Sequence, residues 1–303
     1  MAMNPSPNVL ELFCGIGGVA ACVRDSNNIS IDINRNALEV HRLNFSSRIL
    51  CRTIESLTRD EVSGFECDSW WMSPPCQPFT RRGLGNDLDD PRSAGFKNVI
   101  GLLEQLRPTN VALENVEEFR GSRSHQLIEK VLVDLGYRVA WSVICSTDFG
   151  LPNRRRRFFL IASKDALIDW LPFPEIQHRL RLEVQPDNAR YAVPEDWLHR
   201  YRNAMRIVTW DQLISGEATT NCFTSAYGRS PVRSGSYLQT STGIRFFTPL
   251  EVLFQLGFPQ EFQLPDLPTR QLWALAGNSL SVPAVNYVLD HLPGWPPCVS
   301  KLR

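Results

Sequence analysis

The chain has 303 residues, of which 43% are hydrophobic and 21% are charged, the balance of an ordinary soluble globular protein. Its 32 basic and 32 acidic residues give a formal net charge of zero, which argues against a protein held on nucleic acid by bulk charge. No apolar run reaches the roughly 18 residues of a membrane span, and the first eight residues do not resemble a signal peptide. The length allows one large domain that carries a smaller one.

The eight cysteines are scattered along the chain, and no Cys-x-x-Cys pair occurs among them. This spacing argues against a zinc site or a disulfide framework, so we expect no metal. Thiols without such a framework are typical of a reducing compartment, and we expect a cytoplasmic protein.

The first half of the chain alternates strand and helix patterns. In chain order these predict a strand at 8–13, a glycine turn at 15–18 with a helix to about 24, a strand at 29–31, a helix at 37–43, strands at 69–72 and 110–113, a helix at 127–135, and strands at 137–145 and 158–162. Such alternation predicts a parallel sheet with helices on both faces. In sheets of this kind ligands bind at the carboxyl ends of the strands.

The pattern changes after about residue 164. Residues 165–245 are rich in Pro, Arg, Trp and turn residues, and their periodicity is weak. Helical spacing returns at 249–256 and at 281–292. We therefore expect a second, less regular domain after the alternating half.

A glycine turn follows the first predicted strand. Residues Gly15 to Ala20 match the dinucleotide pattern Gly-x-Gly-x-x-Ala, and Asp32 follows the second strand, where an acidic residue can hold ribose hydroxyls. The Gly17-Gly18 pair lets the backbone approach a small ligand, and Phe13 can pack on an adenine. Many glycine turns are only turns, and the nucleotide could be NAD, FAD or S-adenosylmethionine.

A third strand end carries a cysteine between prolines. Residues 74–78 read Pro-Pro-Cys-Gln-Pro, and three prolines in five residues stiffen the loop around one thiol, Cys76. Most cysteines outside disulfides are small buried hydrophobes, but one fixed between prolines at a strand end rarely serves packing. We therefore interpret Cys76 as a nucleophile. Only about a few per cent of a free thiol is thiolate at neutral pH, so a nearby Arg or a helix N-terminus must raise that fraction.

Charged residues mark the next two strands. Glu114 follows the fourth predicted strand, and it is either a surface or capping residue or a carboxyl group that hydrogen-bonds a base edge. Four consecutive arginines follow Asn153 and precede the last strand of the first half. Alternate side chains of an extended segment share a face, so Arg155 and Arg157 could face one site, although a solvated basic turn is the simpler interpretation.

The order of these motifs resembles the cytosine-5 DNA methyltransferase family, from residue 9 to about residue 290. The matching segments are the first cofactor motif at 11–18, the nucleophile motif Pro-Cys-Gln at 75–77, the base-binding motif Glu-Asn-Val at 114–116, the Asn-x-Arg-x-Arg run at 153–157, a structural motif at 249–259, and the final cofactor motif Gly-Asn-Ser at 277–279. The resemblance implies an S-adenosylmethionine-dependent methyltransferase with a Rossmann-like mixed α/β sheet. It further implies a catalytic, cofactor-binding domain at 1–164 plus 278–303 and a small irregular target-recognition region at 165–277.

A narrower resemblance points to the branch of the family that methylates tRNA, the tRNA-aspartate type. Residues 222–228 resemble its Cys-Phe-Thr-x-x-Tyr signature, and residues 73–81 are similar to its nucleophile segment. Two departures from the DNA enzymes agree with this branch. Glu11 stands where those enzymes have Asp, and Asn153 stands where they have Gln.

The resemblance implies a mechanism through a covalent adduct. Cys76 attacks C6 of cytosine, Glu114 holds the exocyclic amine and N3, and C5 accepts the methyl group before its proton is lost. Arg155 and Arg157 help to orient the base and the nucleophile. The residues expected to hold the cofactor are Phe13, Ile16, Gly17, Gly18, Asp32, Ile54, Glu55, Ser73, Asn278 and Ser279. The residues expected to contact the substrate are Arg81, Arg82, Cys222, Phe223, Thr224 and Tyr227.

Three alternatives stay open. A DNA cytosine-5 methyltransferase is disfavoured by the irregular region of about 80 residues and by the Cys-Phe-Thr segment. A catalytically inactive nucleic-acid-binding relative is disfavoured because all the expected reactive residues are present. A nicotinamide enzyme would leave Cys76, Glu114 and the arginine run unexplained. We expect a monomer that acts on a partly unstacked cytosine in the anticodon loop of aspartate or glutamate tRNA, with weak or no activity on DNA.

Overall fold

The computed structural model describes residues 8–23, 28–79, 86–166, 169–174 and 188–295. By its internal contacts the chain divides into two compact units. The first unit comprises residues 1–144, 156–172 and 285–303, and the second comprises residues 145–155 and 173–284. Among the described residues, no helix is long and apolar enough to cross a membrane.

The described residues form ten strands and nine α-helices, together with short 3-10 turns. The strands are β1 (Val9–Leu12), β2 (Ile29–Asp32), β3 (Arg48–Cys51), β4 (Ser69–Met72), β5 (Asn110–Val116), β6 (Arg138–Cys145), β7 (Arg156–Ser163), β8 (Ile207–Thr209), β9 (Tyr237–Thr240) and β10 (Gly243–Phe246). The helices are α1 (Arg35–Asn44), α2 (Arg59–Ser63), α3 (Ala94–Leu106), α4 (Arg123–Asp134), α5 (Glu195–Tyr201), α6 (Trp210–Ser215), α7 (Pro249–Phe254), α8 (Thr269–Gly277) and α9 (Val282–Leu289).

The first unit is built on a seven-stranded sheet in the order β3-β2-β1-β4-β5-β7-β6. Strands β1 to β5 pair in parallel, whereas β7 runs antiparallel to β5. The sheet is therefore mixed, as the family resemblance implies, and not purely parallel, as the alternation of patterns alone predicts. The strand order reverses between the neighbours β1 and β4. Sheets of this kind bind ligands beyond the carboxyl ends of the strands at such a switch point.

Hydrophobic residues bury both faces of the central strands. All four residues of β1 and of β4 are buried, as in a strand that is covered on both sides. The core of this unit joins Trp70 of β4, Phe96 of α3 and Phe158 of β7. Helix α4 contributes Ile128 and Leu132, which lie four residues apart on one face of the helix.

The segment after β1 differs from the sequence-based expectation. Residues 15–22 form turns, and the predicted helix to about residue 24 is wrong over the described part of that range. Gly15 and Gly17 have φ values of +52° and +90°. A right-handed helix cannot accommodate this left-handed backbone, so no helix can include Gly15 or Gly17.

The strand that carries Glu114 is longer than predicted. Strand β5 runs to Val116, so Glu114 lies within a strand and not after its end. The parallel pairing with β4 ends at Leu113, but the antiparallel pairing with β7 continues to Val116, opposite Arg157. The second partner strand therefore keeps the backbone of the base-binding motif extended. Likewise, Arg156 and Arg157 belong to β7 instead of preceding it.

The second unit is more regular than its sequence suggests. It contains a three-stranded sheet in the order β10-β9-β8, in which β9 is antiparallel to β10 and parallel to β8. Its core is aromatic, and the ring centroids of Tyr227, Phe246 and Trp273 lie 5.0–5.6 Å apart. Gly228, at φ +79°, packs directly on this core, because a Cβ there would lie 2.6 Å from the Trp273 ring.

Candidate active site

The carboxyl end of β1 leads into the glycine turn. Gly17 has a φ of +90°, and a Cβ there would lie 2.6 Å from the ring of Phe45 and 2.9 Å from the ring of His41. Both the backbone conformation and the lack of space therefore require glycine. Ile16 and Gly18 on either side are buried. The turn thus brings main chain, rather than long side chains, to the edge of the sheet.

The buried carboxylate of Glu11 holds this turn from inside the unit. Its Oε1 accepts a hydrogen bond from the Val19 N–H at 3.2 Å, and its Oε2 accepts one from the Ser30 hydroxyl at 3.1 Å. The Nε2 atom of buried His41 lies 3.9 Å from Oε2. Burial of a carboxylate requires such donors. Glu11, noted in the sequence only as a departure from the DNA enzymes, therefore positions the glycine turn.

Asp32 ends β2, and both of its carboxylate oxygens accept main-chain hydrogen bonds. Oδ2 accepts from the Gly15 N–H at 2.9 Å, and Oδ1 accepts from the Asn34 N–H at 2.8 Å. These bonds fix the carboxylate beside the glycine turn. Each oxygen has a second lone pair, so the group can still accept a hydrogen bond from a ligand hydroxyl.

Phe13 and Ile54 lie against the same glycine of α3. A Cβ on Gly95 would approach the Phe13 ring at 3.2 Å and the Ile54 Cβ at 3.3 Å. Phe13 is half-buried with a φ of +59°, whereas Glu55, next to Ile54, is exposed. The structure thus brings together two of the predicted cofactor residues. Sequence reasoning missed Gly95, because no motif marks a single glycine inside a helix.

The loop that carries Cys76 continues directly from β4. The Ser73 N–H donates to the Leu12 carbonyl oxygen at 3.2 Å, which extends the pairing with β1 by one residue. The Ser73 hydroxyl accepts a hydrogen bond from the Trp71 indole at 2.8 Å. The Cys76 carbonyl oxygen accepts from the Phe79 N–H at 3.0 Å and closes a turn. The half-buried Cys76 thiol therefore lies in an ordered loop at the switch point of the sheet.

Strand β5 is tied to this loop and carries a carboxyl group. The Asn115 side-chain amide donates to the Pro74 carbonyl oxygen at 3.0 Å. The preceding residue, Glu114, has its Oε1 3.2 Å from the Arg157 Nε on β7. The side chains of this pair are 9% and 16% exposed, so solvent screens their charges little. The sheet thus places the predicted nucleophile, the predicted base-holding carboxyl group and one of the predicted arginines in one unit.

The four consecutive arginines have four different surroundings. Arg154 is exposed. Arg156 donates to both carboxylate oxygens of Glu117, at 2.7 and 2.9 Å. Arg157 belongs to the buried pair described above, whereas Arg155 belongs to the second unit. That Arg155 and Arg157 act on one site stays a prediction.

Arg92 provides a cation in the electrostatic surroundings of Cys76. Its guanidinium binds both carboxylate oxygens of Asp90, at 2.8 and 2.6 Å. These bonds lower the pKa of Asp90 to about 2 and raise the pKa of Arg92, to which the negative charge of Cys76 also contributes. Because a charge interaction is mutual, the Arg92 cation favours the thiolate form of Cys76. Sequence reasoning required such a cation but did not identify it, since no spacing rule connects a loop to a later turn.

The segment that resembles the tRNA branch lies in the second unit, and its residues differ in burial. Phe223 and Tyr227 are 0% and 1% exposed and belong to the aromatic core. Cys222 and Thr224 are half-buried, and the Thr224 hydroxyl lies 2.7 Å from the Ser234 hydroxyl. Cys222 and Thr224 are therefore more available to a ligand than the two aromatic residues.

The final cofactor motif begins at the last residue of α8 and continues into the turn that follows. Asn278 is exposed, whereas Ser279 is buried and its hydroxyl has no hydrogen-bond partner among the described residues. A buried polar group without a partner is costly, so this hydroxyl suits a ligand. Arg81 and Arg82, predicted to contact the substrate, lie outside the described residues. Within the described residues, no three His, Cys, Asp or Glu side chains cluster as metal ligands would.

Comparison with known proteins identifies the family. The sequence profile of the C-5 cytosine-specific DNA methylase family matches residues 7–192. The chain is 31% identical to a tRNA (cytosine(38)-C(5))-methyltransferase of Schizosaccharomyces pombe, over 94% of this chain and 96% of the relative. The crystal structure of the S. pombe Dnmt2 methyltransferase has a TM-score of 0.80 and 28% identity, covering 94% of this chain and 98% of the other.

A further solved structure supports the fold alone. The Entamoeba histolytica methyltransferase EhMeth has a TM-score of 0.85 at 24% identity, over 95% of this chain and 98% of the other. Together with the seven-stranded sheet, these likenesses confirm the mixed α/β methyltransferase fold and the family resemblance predicted from the motifs. The chain therefore belongs to the C-5 cytosine-specific DNA methylase family.

Proposed function

We propose that this chain is a tRNA methyltransferase that adds a methyl group to C5 of a cytosine in the anticodon loop, with S-adenosylmethionine as the methyl donor. The observation that carries this proposal is the hydrogen bond from the Asn115 amide to the Pro74 carbonyl oxygen. It ties the loop of Cys76 to the strand of Glu114. A nucleophile and a base-holding carboxyl group are thereby fixed relative to each other, as covalent catalysis on a pyrimidine requires.

The proposed mechanism begins at Cys76. Its thiolate adds to C6 of the cytosine and forms a carbon–sulfur bond, which places electron density on C5. Glu114, held by Arg157, accepts a hydrogen bond from the exocyclic amine and donates its carboxyl proton to N3, which stabilises the charge that develops on the ring. S-adenosylmethionine, when bound, supplies an electrophilic methyl group for C5. The C5 proton is then lost to water, the C5–C6 double bond forms again, and the electron pair of the bond between Cys76 and C6 returns to sulfur as the thiolate.

The residues at the strand ends fit this methyl donor. Gly17 lets main chain approach a ligand, and Asp32 is fixed by two main-chain N–H groups in a position to accept from ribose hydroxyls. The buried Ser279 hydroxyl, which has no partner among the described residues, offers a further polar contact. We assign the donor to these residues together with Phe13, Ile16, Gly18, Ile54, Glu55, Ser73 and Asn278.

Two observations favour tRNA over duplex DNA as the substrate. The S. pombe relative is named as a tRNA (cytosine(38)-C(5))-methyltransferase, and the Cys-Phe-Thr segment of this chain resembles the branch that methylates tRNA. A cytosine in an anticodon loop is partly unstacked, which lowers the energetic cost of about a few kcal/mol for flipping a base out of a duplex. We assign target recognition to the region 165–277, with aspartate or glutamate tRNA as the substrate.

The proposed chemistry also suggests where the enzyme acts and in what form. A thiolate nucleophile must stay reduced, and none of the seven described cysteines forms a disulfide. We therefore place the enzyme in the cytoplasm, where thiols remain reduced. All the proposed catalytic groups lie in one chain, so we propose a monomer.

A methyl-transfer assay tests the substrate. Labelled S-adenosylmethionine is supplied with bulk tRNA in one reaction and with duplex DNA in another. We expect label in tRNA, at a cytosine of the anticodon loop, and little or none in DNA. Preferential labelling of DNA would overturn the tRNA assignment, and absence of label in both would favour an inactive nucleic-acid-binding relative.

The Cys76→Ala variant tests the mechanism. We expect it to lose methyl transfer and the covalent tRNA adduct while it still binds S-adenosylhomocysteine. The matched control is Cys51→Ala, which removes an exposed thiol of the same unit and should keep wild-type turnover. Turnover by the Cys76→Ala variant would refute the assignment of the nucleophile.

A further inference from the structure

The side chain of Arg155 binds main chain from two other segments of the second unit. Its Nη1 atom lies 3.2 Å from the Phe223 carbonyl oxygen and 3.1 Å from the Gly277 carbonyl oxygen, and its Nη2 atom donates to the Ser279 carbonyl oxygen. Arg155 is 3% exposed. Hydrogen bonds from a buried guanidinium to carbonyl oxygens are charge-assisted and are stronger than neutral ones. One cation therefore holds two stretches of main chain that are distant in sequence.

We name these stretches the recognition segment, residues 222–228, and the Gly-Asn-Ser turn, residues 277–279. Gly277 brings their backbones into contact. A Cβ on Gly277 would lie 2.3 Å from the Thr224 carbonyl carbon and 2.7 Å from the Ser225 nitrogen. These atoms are main chain, so they cannot move aside as a flexible side chain can.

Helix α8 extends this contact to the far end of the recognition segment. Gly228 packs on the Trp273 ring of α8, where a Cβ would lie 2.6 Å from the ring. The Trp273 indole donates to the Phe247 carbonyl oxygen at 2.9 Å. The recognition segment therefore packs on α8 near both of the segment's own ends. The same helix leads directly into the Gly-Asn-Ser turn.

Ser279 carries two polar groups with different surroundings. Its carbonyl oxygen accepts from Arg155, while its buried hydroxyl has no hydrogen-bond partner among the described residues. Ser279 therefore joins a hydroxyl that suits a ligand to a carbonyl oxygen that Arg155 holds. Arg155 in turn holds the Phe223 carbonyl oxygen of the recognition segment. One guanidinium thus connects the turn to the recognition segment.

We propose that Arg155 is a positioning residue that couples the binding of the methyl donor at the Gly-Asn-Ser turn to the binding of the tRNA loop at the recognition segment. Each ligand raises the affinity for the other, because the ligand that binds first orders main chain that the second would otherwise have to order. The same factor applies in both directions, as linkage requires. This inference rests on the proposed function, which assigns one ligand to each side of Arg155.

The test compares wild-type enzyme with Arg155→Lys. The tRNA dissociation constant is measured by fluorescence anisotropy with and without saturating S-adenosylhomocysteine, and the reciprocal experiment is done by calorimetry. In the wild type we expect each ligand to lower the dissociation constant of the other by at least about fivefold, the lower end of common couplings. Lysine keeps the charge, but its single nitrogen cannot take both positions that Nη1 and Nη2 occupy. We therefore expect the coupling factor to fall to near one in this variant.

Two further variants separate coupling from folding. Arg245→Lys is the matched control, since Arg245 is a buried arginine of the same unit that instead binds Glu251 at 2.8 Å. It should lose stability and keep the wild-type coupling factor. Ser279→Ala removes only a hydroxyl without a described partner, so it should fold normally and lower the coupling factor even if Arg155→Lys does not fold.

The outcomes distinguish this inference from the proposed function. Absence of tRNA binding and tRNA methylation in the wild type would overturn the proposed function. If both ligands bind the wild type but neither affects the other, the coupling is refuted and the methyltransferase assignment stands. Coupling that is equal in the wild type, Arg155→Lys and Ser279→Ala would refute the role of Arg155.

Discussion

Two glutamates of the first unit pair with arginines of β7, and their exposure separates their roles. The side chains of Glu114 and Arg157 are 9% and 16% exposed, whereas those of Glu117 and Arg156 are 43% and 60% exposed. Solvent screens an exposed ion pair, which contributes little to stability. The buried pair instead fixes a carboxyl group beside the loop of Cys76. Burial, more than the pairing itself, thus supports our proposal that Glu114 is the functional carboxyl group.

Replacing Glu114 with Gln keeps the shape of the side chain but removes the acidic proton that we assign to N3 of cytosine. We expect kcat to fall by about 100-fold or more, the loss typical of a hydrogen-bonding group that acts in the transition state. The affinity for S-adenosylhomocysteine should be unchanged. Glu117→Gln is the matched control, because it breaks an exposed pair between β7 and the turn after β5, and its kcat should stay within about twofold of wild type. Wild-type kcat in Glu114→Gln would contradict the assignment.

A second effect of a single side chain concerns Arg92, whose guanidinium favours the thiolate of Cys76. Its side chain is 46% exposed, so salt partly screens its charge. In Arg92→Gln the thiol keeps its proton to a higher pH, because the nearby positive charge is gone. We expect the midpoint of the pH profile for methyl transfer to move upward and the rate at neutral pH to fall.

The matched control for this variant is Arg123→Gln. Arg123 is another exposed arginine, and it pairs with Asp89 at 2.7 Å. Its removal should leave the pH profile unchanged. High salt should shrink the difference between wild type and Arg92→Gln, since screening weakens the same interaction. A pH profile that does not move in Arg92→Gln would show that Arg92 does not act on Cys76.

At the scale of elements, the glycine turn after β1 contains two glycines with different requirements. Gly15 and Gly17 both have positive φ. A Cβ on Gly15 would meet nothing within 4 Å, whereas a Cβ on Gly17 would collide with the rings of Phe45 and His41. Gly15→Ala therefore introduces backbone strain alone, whereas Gly17→Ala introduces both backbone strain and a steric clash.

This difference predicts the behaviour of two otherwise similar variants. We expect Gly17→Ala to lower the free energy of unfolding by about 1–3 kcal/mol and to weaken S-adenosylhomocysteine binding by at least about tenfold, because the turn must move. Gly15→Ala should weaken binding less. Thermal unfolding and calorimetry measure the two quantities. Equal effects of the two substitutions would show that packing of Gly17 against His41 and Phe45 does not determine the conformation of the turn.

The same elements show what the sequence could predict. Strands β1, β2 and β4 were predictable because short apolar runs end at glycine, Asp32 and the proline loop. The extension of β5 to Val116 was not, because it depends on antiparallel pairing with β7, which lies far along the chain. The residues at the strand ends could be identified as candidates from their chemistry. Gly95 and Arg92 could not, because their roles arise only from contacts made in the folded chain.

Across the whole molecule, the cysteine thiols lie in different surroundings, and these surroundings set their pKa values. Burial raises the pKa of Cys14, and the carboxylates of Glu11 and Asp32 add to that effect. Burial raises the pKa of Cys67 to about 12, with a smaller contribution from the negative charge of Asp68. A raised pKa leaves less thiolate at any lower pH, so these two thiols are expected to be unreactive at neutral pH.

Alkylation by iodoacetamide, followed by mass spectrometry of the peptides, measures this difference. At about pH 7.5 we expect Cys76 to be labelled well before Cys14 and Cys67, because only the thiolate reacts. Raising the pH to about 9 should speed the labelling of Cys76 and of exposed Cys51, while Cys67 stays largely unlabelled because its pKa is near 12. Unfolding the chain in denaturant should label all of them at similar rates, which shows that the fold sets the order. Labelling of Cys67 ahead of Cys76 in the folded protein would contradict both the environment of Cys67 and the activation of Cys76.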